Sequence, residues 1–413
     1  MIDMSQGTPH RRWRYRAQRL AGGSSFVAGN QLTLLQNGQA YFPAIEAAFD
    51  RARHEIHLQT YIYENDATGQ RVTTALRRAV LRGVRVCVLI DGFGSRNLPP
   101  EVRKRMRSDG VNLLIYRPEI SPWTFRRKRL RRMHRKIVVV DRDIAFVGGI
   151  NIIGDGTASD ARAPRYDYAV AVEGPLVEAI RLAAQRLWSR LAWRSLRKEL
   201  ARRVELPTST VAGGSMSAAF LLRDNVRHRR DIEAAYLQAI RQAQSEILLA
   251  HAYFLPGLEF RHALAGAVRR GVRVVVLLQG KVEYRLEHYA VQALYGSLLD
   301  KGIEIYEYRK SFLHAKVAVI DGHWATIGSS NIDPFSLLLS LEANLVVDDE
   351  VFGARFARML KETVKTDGWR IEAKSWNQQP AYLRFFSWLS YGLLRLMRGL
   401  SGYVRENDRA RGE

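Results

Sequence analysis

With 413 residues and 47% apolar content, the chain is long enough for two ordinary domains with a substantial core, which excludes a disordered protein. Lys and Arg number 64 against 41 Asp and Glu, a formal charge of +23, so the expected partner is anionic, either nucleic acid or an acidic lipid surface. The one cysteine, Cys87, excludes a disulfide framework and a thiolate metal site and fits a reducing, cytoplasmic compartment.

In chain order, residues 1–30 read as a basic N-terminal arm, "MIDMSQGTPHRRWRYRAQRL", without the apolar core of a signal peptide. No uncharged apolar stretch approaches the ~18 to 20 residues of a membrane span, so the expectation is a chain neither exported by that route nor threaded through a bilayer. From Ala44, "AIEAAFDRARHEIHLQTYIYENDATG…VTTALRRAVLRGVRVCVLIDG" gives helix, strand, helix and strand signals. The same order returns from Asp231 as "DIEAAYLQAIRQAQSEILLAHAYFLPG…FRHALAGAVRRGVRVVVLLQG", so the two halves read as one duplicated unit. Helical patterns ending at Gly83 and Gly271, each followed by a β-rich run, predict an α/β fold, a sheet with helices on its faces. The boundaries read as a first half over 31–203, a Pro-, Gly- and Ser-containing linker over 204–218, and a second half over 219–370. Residues 371–413 form a C-terminal segment.

Each half carries one polar pattern. In "MHRKIVVVDRDIAFVGGIN", His134, Lys136, Asp141, Gly148 and Asn151 have the spacing of His314, Lys316, Asp321, Gly328 and Asn331 in "LHAKVAVIDGHWATIGSSN". Five identities at fixed offsets arise by chance at about 10⁻⁶ to 10⁻⁷ per aligned position. On a strand, residues i and i+2 share a face, so each His–Lys pair points into one space while the following apolar run packs the sheet. The Gly-Gly or Gly-Ser pair then lets the chain turn and carry Asn151 or Asn331 back toward that pair. Packing of the halves about a pseudo-twofold axis would bring two His, two Lys and two Asn into a single pocket suited to a tetrahedral anion.

That inventory matches phosphodiester exchange, which needs a nucleophile, a proton donor for the leaving alkoxide and fixed donors around the non-bridging oxygens. One imidazole attacks phosphorus to give a phosphohistidine, and the other protonates the departing alcohol and deprotonates the incoming one. Lysines and asparagines hold the oxygens, so the expected cofactor and metal set is empty. Asp141 and Asp321, read with the catalytic set, also have the chemistry of turn residues at a strand end.

With these residues the chain resembles the phospholipase D superfamily and, within it, the bacterial cardiolipin synthases of the B type. The resemblance runs from about Leu32 to about Asp367 and rests on the twin HxK(x)₄D(x)₆G(G/S)xN motif, "LQNGQAYFPAIEAAFDRA", "HAYFLPG" and "GSSNIDPFSLLLSLEANLVV". It implies two phospholipase D-type halves, each a mixed sheet flanked by helices, around one active site. It also implies a carboxylate after each motif that orients a catalytic histidine, and Asp167 and Glu342 occupy those positions. Ser329 joins Asn151 and Asn331 as a candidate phosphate ligand. Gly149 replaces the more usual Ser of the motif, and Ser340 stands where some relatives have Asn.

The superfamily includes lipid hydrolases, phosphatidyltransferases and nucleases, so the motif fixes the bond and not the substrate. The basic run from Arg126 to Arg132, broken only by Leu130, suits lipid phosphate and nucleic acid equally. Read as a helix, "AYLRFFSWLSYGLLRLMRGL" puts Arg384, Ser387, Tyr391, Arg395 and Arg398 on one face, opposite Phe385, Phe386, Leu389, Leu393, Leu396, Met397 and Leu400. Such a helix fits an interfacial anchor, and docking on the protein's own core is the competing expectation. The resemblance then implies transfer of a phosphatidyl group from phosphatidylglycerol to the hydroxyl of a second phospholipid, with phosphatidylethanolamine as an alternative co-substrate. The expected place is the cytoplasmic face of the cell membrane, with nucleic acid not a partner. No "GxxxxGK" phosphate loop is present.

Overall fold

The computed structural model describes Leu20 and residues 25–118, 131–154, 164–201, 204–207, 213–224, 227–282, 285–333, 340–373, 376, 386–387 and 389–392. The first half runs β1 (Val27–Gln36), α1 (Asn37–Arg51), β2 (Glu55–Thr60), α2 (Ala67–Leu81), β3 (Arg85–Asp91), α3 (Pro100–Ser108) and β4 (Asn112–Tyr116). It continues with β5 (Lys136–Val140), β6 (Ile144–Gly148), β7 (Tyr168–Glu173) and α4 (Leu176–Arg194). The second half repeats this order as β8 (Met216–Arg223), α5 (Asp231–Gln242), β9 (Glu246–His251), α6 (Leu258–Arg269), β10 (Arg273–Gln279), α7 (Arg285–Gln292), α8 (Tyr295–Leu299) and β11 (Glu304–Tyr308). Strands β12 (Lys316–Ile320), β13 (Trp324–Gly328) and β14 (Glu342–Asp348), helix α9 (Glu350–Asp367) and β15 (Gly368–Ile371) complete it.

The strand order β15-β11-β10-β9-β12-β13-β14-β8-β1-β7-β6-β5-β2-β3-β4 is nearly a palindrome, hinged where β1 and β8 pair antiparallel. In each half a parallel trio (β2-β3-β4 or β9-β10-β11) adjoins an antiparallel set, as the duplicated helix and strand signals predict. Alternation along β5 and β12 divides the core. Val138 and Val140 face the first half's outer layer under α1 and α2. Ala318 and Ile320 face the corresponding layer under α5 and α6. Ile137, Val139, Val317 and Val319 meet in a central cluster shared by both halves, closed by residues of α4 and α9. A strand buried on both faces needs the continuous apolar runs that follow each His–Lys pair.

Local signals set the ends of these elements. Asp66 and Asp349 cap α2 and α9 by accepting the Gly69 and Phe352 N–H groups. Gly83 and Gly271 stop α2 and α6 in left-handed conformation, φ 85° and 88°. The pairing of β1 with β8 moves two of the expected limits. Val27–Asn30 belong to β1 and not to the arm, and Met216–Ala218 belong to β8 and not to the linker, because each supplies the other's hydrogen-bonding edge. Of the rest of the arm, Leu20 and residues 25–26 are described, with Leu20 buried in the second half's outer core and Phe26 packed against it, and the other arm residues and the linker's 208–212 lie outside the described residues.

Helical residues 386–387 and 389–392 report on the C-terminal segment. Ser387 is 5% exposed and Tyr391 packs on the second half's outer core, whereas Phe386 and Leu389 are 53% and 56% exposed. The Ser/Tyr face, expected to look outward with the arginines, instead docks on the protein and turns part of the apolar face away from it. The flanking Arg384, Phe385, Leu393, Arg395, Leu396, Met397, Arg398 and Leu400 lie outside the described residues.

Candidate active site

His134 and Lys136 open β5, and His314 and Lys316 open β12, at the ends of the strands where the halves meet. The backbones join beside each histidine. Met133 bridges Leu341, with the His134 N–H donating to the Leu341 carbonyl at 2.9 Å. Leu313 bridges Tyr166, with the His314 N–H donating to the Tyr166 carbonyl at 2.8 Å. These contacts put each acid next to the opposite half's histidine. His134 Nδ1 lies 3.1 Å from Glu342 Oε1, and His314 Nδ1 lies 2.6 Å from Asp167 Oδ2. An ionised carboxylate only accepts, so Nδ1 carries the proton in both rings and Nε2 keeps its lone pair. The Ser329 carbonyl, 3.2 Å from His134 Nδ1, favours the same tautomer.

Both lysines are buried, and each ammonium donates to the carbonyl of its own motif's histidine, at 2.6 Å for Lys136. Burial pushes Lys136 down to about 7; Glu342 opposes this and Lys316 adds to it. Burial pushes the Asp167 carboxyl up to about 6, with Lys316 opposing. Burial, then Lys316 and Lys136, push His314 well below the usual histidine range. His134 is also held down by burial, partly offset by Glu342. Near neutral pH the His314–Asp167 pair is therefore a neutral imidazole on a carboxylate. Asn151 is buried and its Oδ1 accepts the Ile62 N–H at 3.1 Å, which leaves its NH₂ group as donor. Asn331 is buried at the equivalent place in the second half.

Three of the expected residues have other work. Asp141 and Asp321 stand just past the far ends of β5 and β12, about 17 Å along the chain from the lysines at ~3.3 Å per residue. Asp141 accepts the N–H groups of Arg53, His54 and Glu55 at 2.8, 2.9 and 2.7 Å, and Asp321 accepts those of Gln244, Ser245 and Glu246. Both have φ 51°, a turn conformation that Asp tolerates. They anchor the loops before β2 and β9, at the strand ends away from the His–Lys pairs. The Ser329 hydroxyl donates to Glu342 Oε2 and accepts the Ala343 N–H, so it holds the acid in place of a phosphate. At the equivalent Gly149, a Cβ would lie 2.3 Å from Asp167 Oδ1, so the shorter acid is matched by the smaller neighbour.

Sequence reasoning missed two residues. Tyr61 packs edge-on against the His134 ring, centroids 4.8 Å apart, with Lys136 Nζ 5.5 Å over its ring. The repeat carried a signal for it, because Ala252 stands at the same place in the second half. Arg223, paired across β8–β14 with Glu342, left no local signal. Separately, Glu55, His57 and Cys87 place donor atoms within 4.8 Å of one another in the first half's core. Glu55 is bonded to His57 at 2.9 Å and faces Arg85, and burial pushes the Cys87 thiol up to about 12, so this is a buried ion-pair cluster.

The family described as "Cardiolipin synthase, PLD-like domain" matches residues 45–188 and 236–364, one span in each half. The chain belongs to this cardiolipin synthase family of phospholipase D-like proteins. Cardiolipin synthase B of Shigella flexneri is 37% identical over 380 residues, 92% of this chain and 91% of the relative. Cardiolipin synthase B of Escherichia coli K12 shows the same identity and coverage. Cardiolipin synthase of Geobacillus kaustophilus is 31% identical over 81% of this chain and 66% of its own. Among solved structures, phosphatidylserine synthase of Haemophilus influenzae superposes with a TM-score of 0.64 at 15% identity, covering 91% of this chain and 96% of that one. That likeness supports the duplicated fold.

Proposed function

We propose that this protein is a cardiolipin synthase, a phosphatidyltransferase working through the crossed His134–Glu342 and His314–Asp167 pairs. The observation that carries the reading is the reciprocity of these pairs: each half supplies the acid that fixes the other half's histidine, so one site holds two equally oriented Nε2 atoms. One Nε2 attacks the phosphorus of phosphatidylglycerol, and the glycerol oxygen leaves with a proton from Nε2 of the other imidazole, which enters this step as the imidazolium, protonated on both ring nitrogens. The hydroxyl of a second phospholipid then gives its proton to that imidazole and displaces the phosphohistidine, releasing cardiolipin. Lys136, Lys316 and the Asn151 and Asn331 amides hold the non-bridging oxygens. One phosphodiester is exchanged for another, so no nucleotide is consumed.

The reading places the enzyme peripherally on the cytoplasmic face of the membrane. Among the described residues no helix is long and apolar enough to cross a bilayer. Exposed Phe386 and Leu389, with the charge of +23, suit contact with an anionic leaflet. The test is to incubate purified protein with phosphatidylglycerol vesicles, without nucleotide, and identify products by mass spectrometry. Cardiolipin and free glycerol are expected, and both vanish in His134→Ala and His314→Ala. Phosphatidic acid alone would make it a hydrolase, and cleavage of nucleic acid without any lipid product would overturn the reading.

A further inference from the structure

Lipid substrates reach the histidines from a bilayer, so some surface around the active-site mouth has to meet the leaflet. Two loops border that mouth, one per half, opening with Gly92 after β3 and with Gly280 after β10. The same bonds place both. Asp91 Oδ2 accepts the Met133 N–H at 2.9 Å, next to His134, and Gln279 Oε1 accepts the Leu313 N–H at 3.0 Å, next to His314. The Gly92 and Gly280 N–H groups donate to the Tyr116 and Tyr308 carbonyls at 2.8 and 3.0 Å. The pseudo-twofold relation therefore sets the loops at one level, on either side of the histidines.

Each loop turns an apolar side chain outward. Phe93 is 38% exposed and Val282 is 50% exposed. The turn that carries Phe93 is fixed, because the buried Asp91 carboxylate also accepts the Phe93 and Gly94 N–H groups at 2.9 and 3.1 Å. A Cβ on Gly92 would lie 2.5 Å from the Arg117 carbonyl oxygen, and one on Gly94 2.3 Å from that of Tyr61, so only Phe93 can present a side chain there. Cations accompany both apolar residues. The Arg96 and Arg132 guanidinium carbons lie 4.6 and 5.0 Å from the Phe93 ring centroid. Arg132 is also paired at 3.8 Å with Asp91, and Lys281, the neighbour of Val282, donates to the Lys310 carbonyl at 3.0 Å. Arg96 and Lys281 are exposed and carry the outward charge. Apolar side chains set among cations match the boundary of an anionic leaflet, where phosphates lie over acyl chains. A nucleic-acid backbone would match the cations and leave Val282 without a partner.

We propose that the loops after β3 and β10 dock on the anionic leaflet, Phe93 and Val282 entering its headgroup layer while Arg96 and Lys281 meet lipid phosphates. Resting on the cardiolipin synthase reading, this makes the mouth between His134 and His314 open directly onto the bilayer. The test uses the full-length protein, whose one native thiol, Cys87, is fully buried. An environment-sensitive fluorophore is attached at Phe93→Cys, Val282→Cys or Leu81→Cys, the last being 78% exposed at the end of α2 that leads into the opposite end of β3. Phosphatidylglycerol vesicles should raise emission about twofold or more at 93 and 282 and leave 81 unchanged, and lipids spin-labelled near the headgroup should quench the gain. No change at 93 and 282, or an equal change at 81, overturns the rim. An equal response on phosphatidylcholine vesicles overturns the part given to Arg96 and Lys281, and a response to duplex DNA in place of vesicles makes the surface a nucleic-acid groove. Cardiolipin formation by the unlabelled wild type, read alongside, separates the two ideas: product without a vesicle response refutes the rim alone, and a vesicle response without lipid product refutes the synthase reading alone.

Discussion

Replacing Asp167 by Asn should move activity and stability in opposite directions. The side chain is isosteric, so its Oδ1 still accepts the Tyr168 N–H, bonded at 2.8 Å in the native chain. The group 2.6 Å from His314 Nδ1 becomes an NH₂, which donates where the carboxylate accepted. The imidazole proton is then driven to Nε2, the atom that must attack or take a proton. Loss of a charged hydrogen bond of about 1.5–3 kcal/mol is worth about 10- to 150-fold in rate, and the wrong tautomer acts in the same direction. We expect turnover to fall by about 100-fold or more. For stability, burial lifts the Asp167 carboxyl from its ordinary 3.8 to about 6. The folded chain therefore holds that proton more tightly than the unfolded chain, and stability falls as pH rises from about 4 to about 6 and stays lower above. At 1.36 kcal/mol per decade the deficit at pH 8 is at most about 3 kcal/mol, and Asn removes it. Cardiolipin formation and denaturant unfolding at pH 8 measure the two effects. Near-native turnover, or a variant less stable than wild type at pH 8, would refute the account of the dyad.

The same geometry makes further predictions. Gly149→Ala should cut activity about as deeply as Asp167→Asn, because the new Cβ displaces the carboxylate from His314, whereas Ser329→Ala, which removes one tether from Glu342, should cost only about 5- to 30-fold; steady-state rates rank them. Asp141→Ala strands three backbone N–H groups and leaves Ala at φ 51°, so unfolding should show a loss of about 3 kcal/mol or more, with turnover per folded molecule retained. The free-enzyme pH profile should be bell-shaped. It falls on the acid side near 6 as Asp167 gains a proton, and on the alkaline side above about 7 as buried Lys136 loses its charge, with the acid limb absent in Asp167→Asn.

Two carboxylate readings show how far spacing alone carries. Both pairs, Asp141/Asp321 and Asp167/Glu342, recur at matched places, so the repeat marks all four. Spacing carries no information on which end of a strand meets the active site. Asp141 lies five residues beyond Lys136 along an extended chain, too far to return, while Asp167 reaches the site only because Tyr166 bridges Leu313 of the other half. Ser329 misled for a related reason: its offset from His314 is fixed by the motif, but its partner, Glu342, is brought close by the β13–β14 pairing.

The sequence by itself determined the duplication, the alternating helices and strands, and the inventory of two His, two Lys and two Asn. Periodicity, glycine stops and repeat spacing are local properties that survive in one dimension. Tertiary structure decided which acid serves which histidine, which carboxylates are scaffold, where Tyr61 and Arg223 stand, and which face of the C-terminal helix docks. Each of these depends on contacts between residues far apart in the chain, set by how two sheets meet along β1 and β8 around a shared apolar core, and no local pattern encodes that meeting.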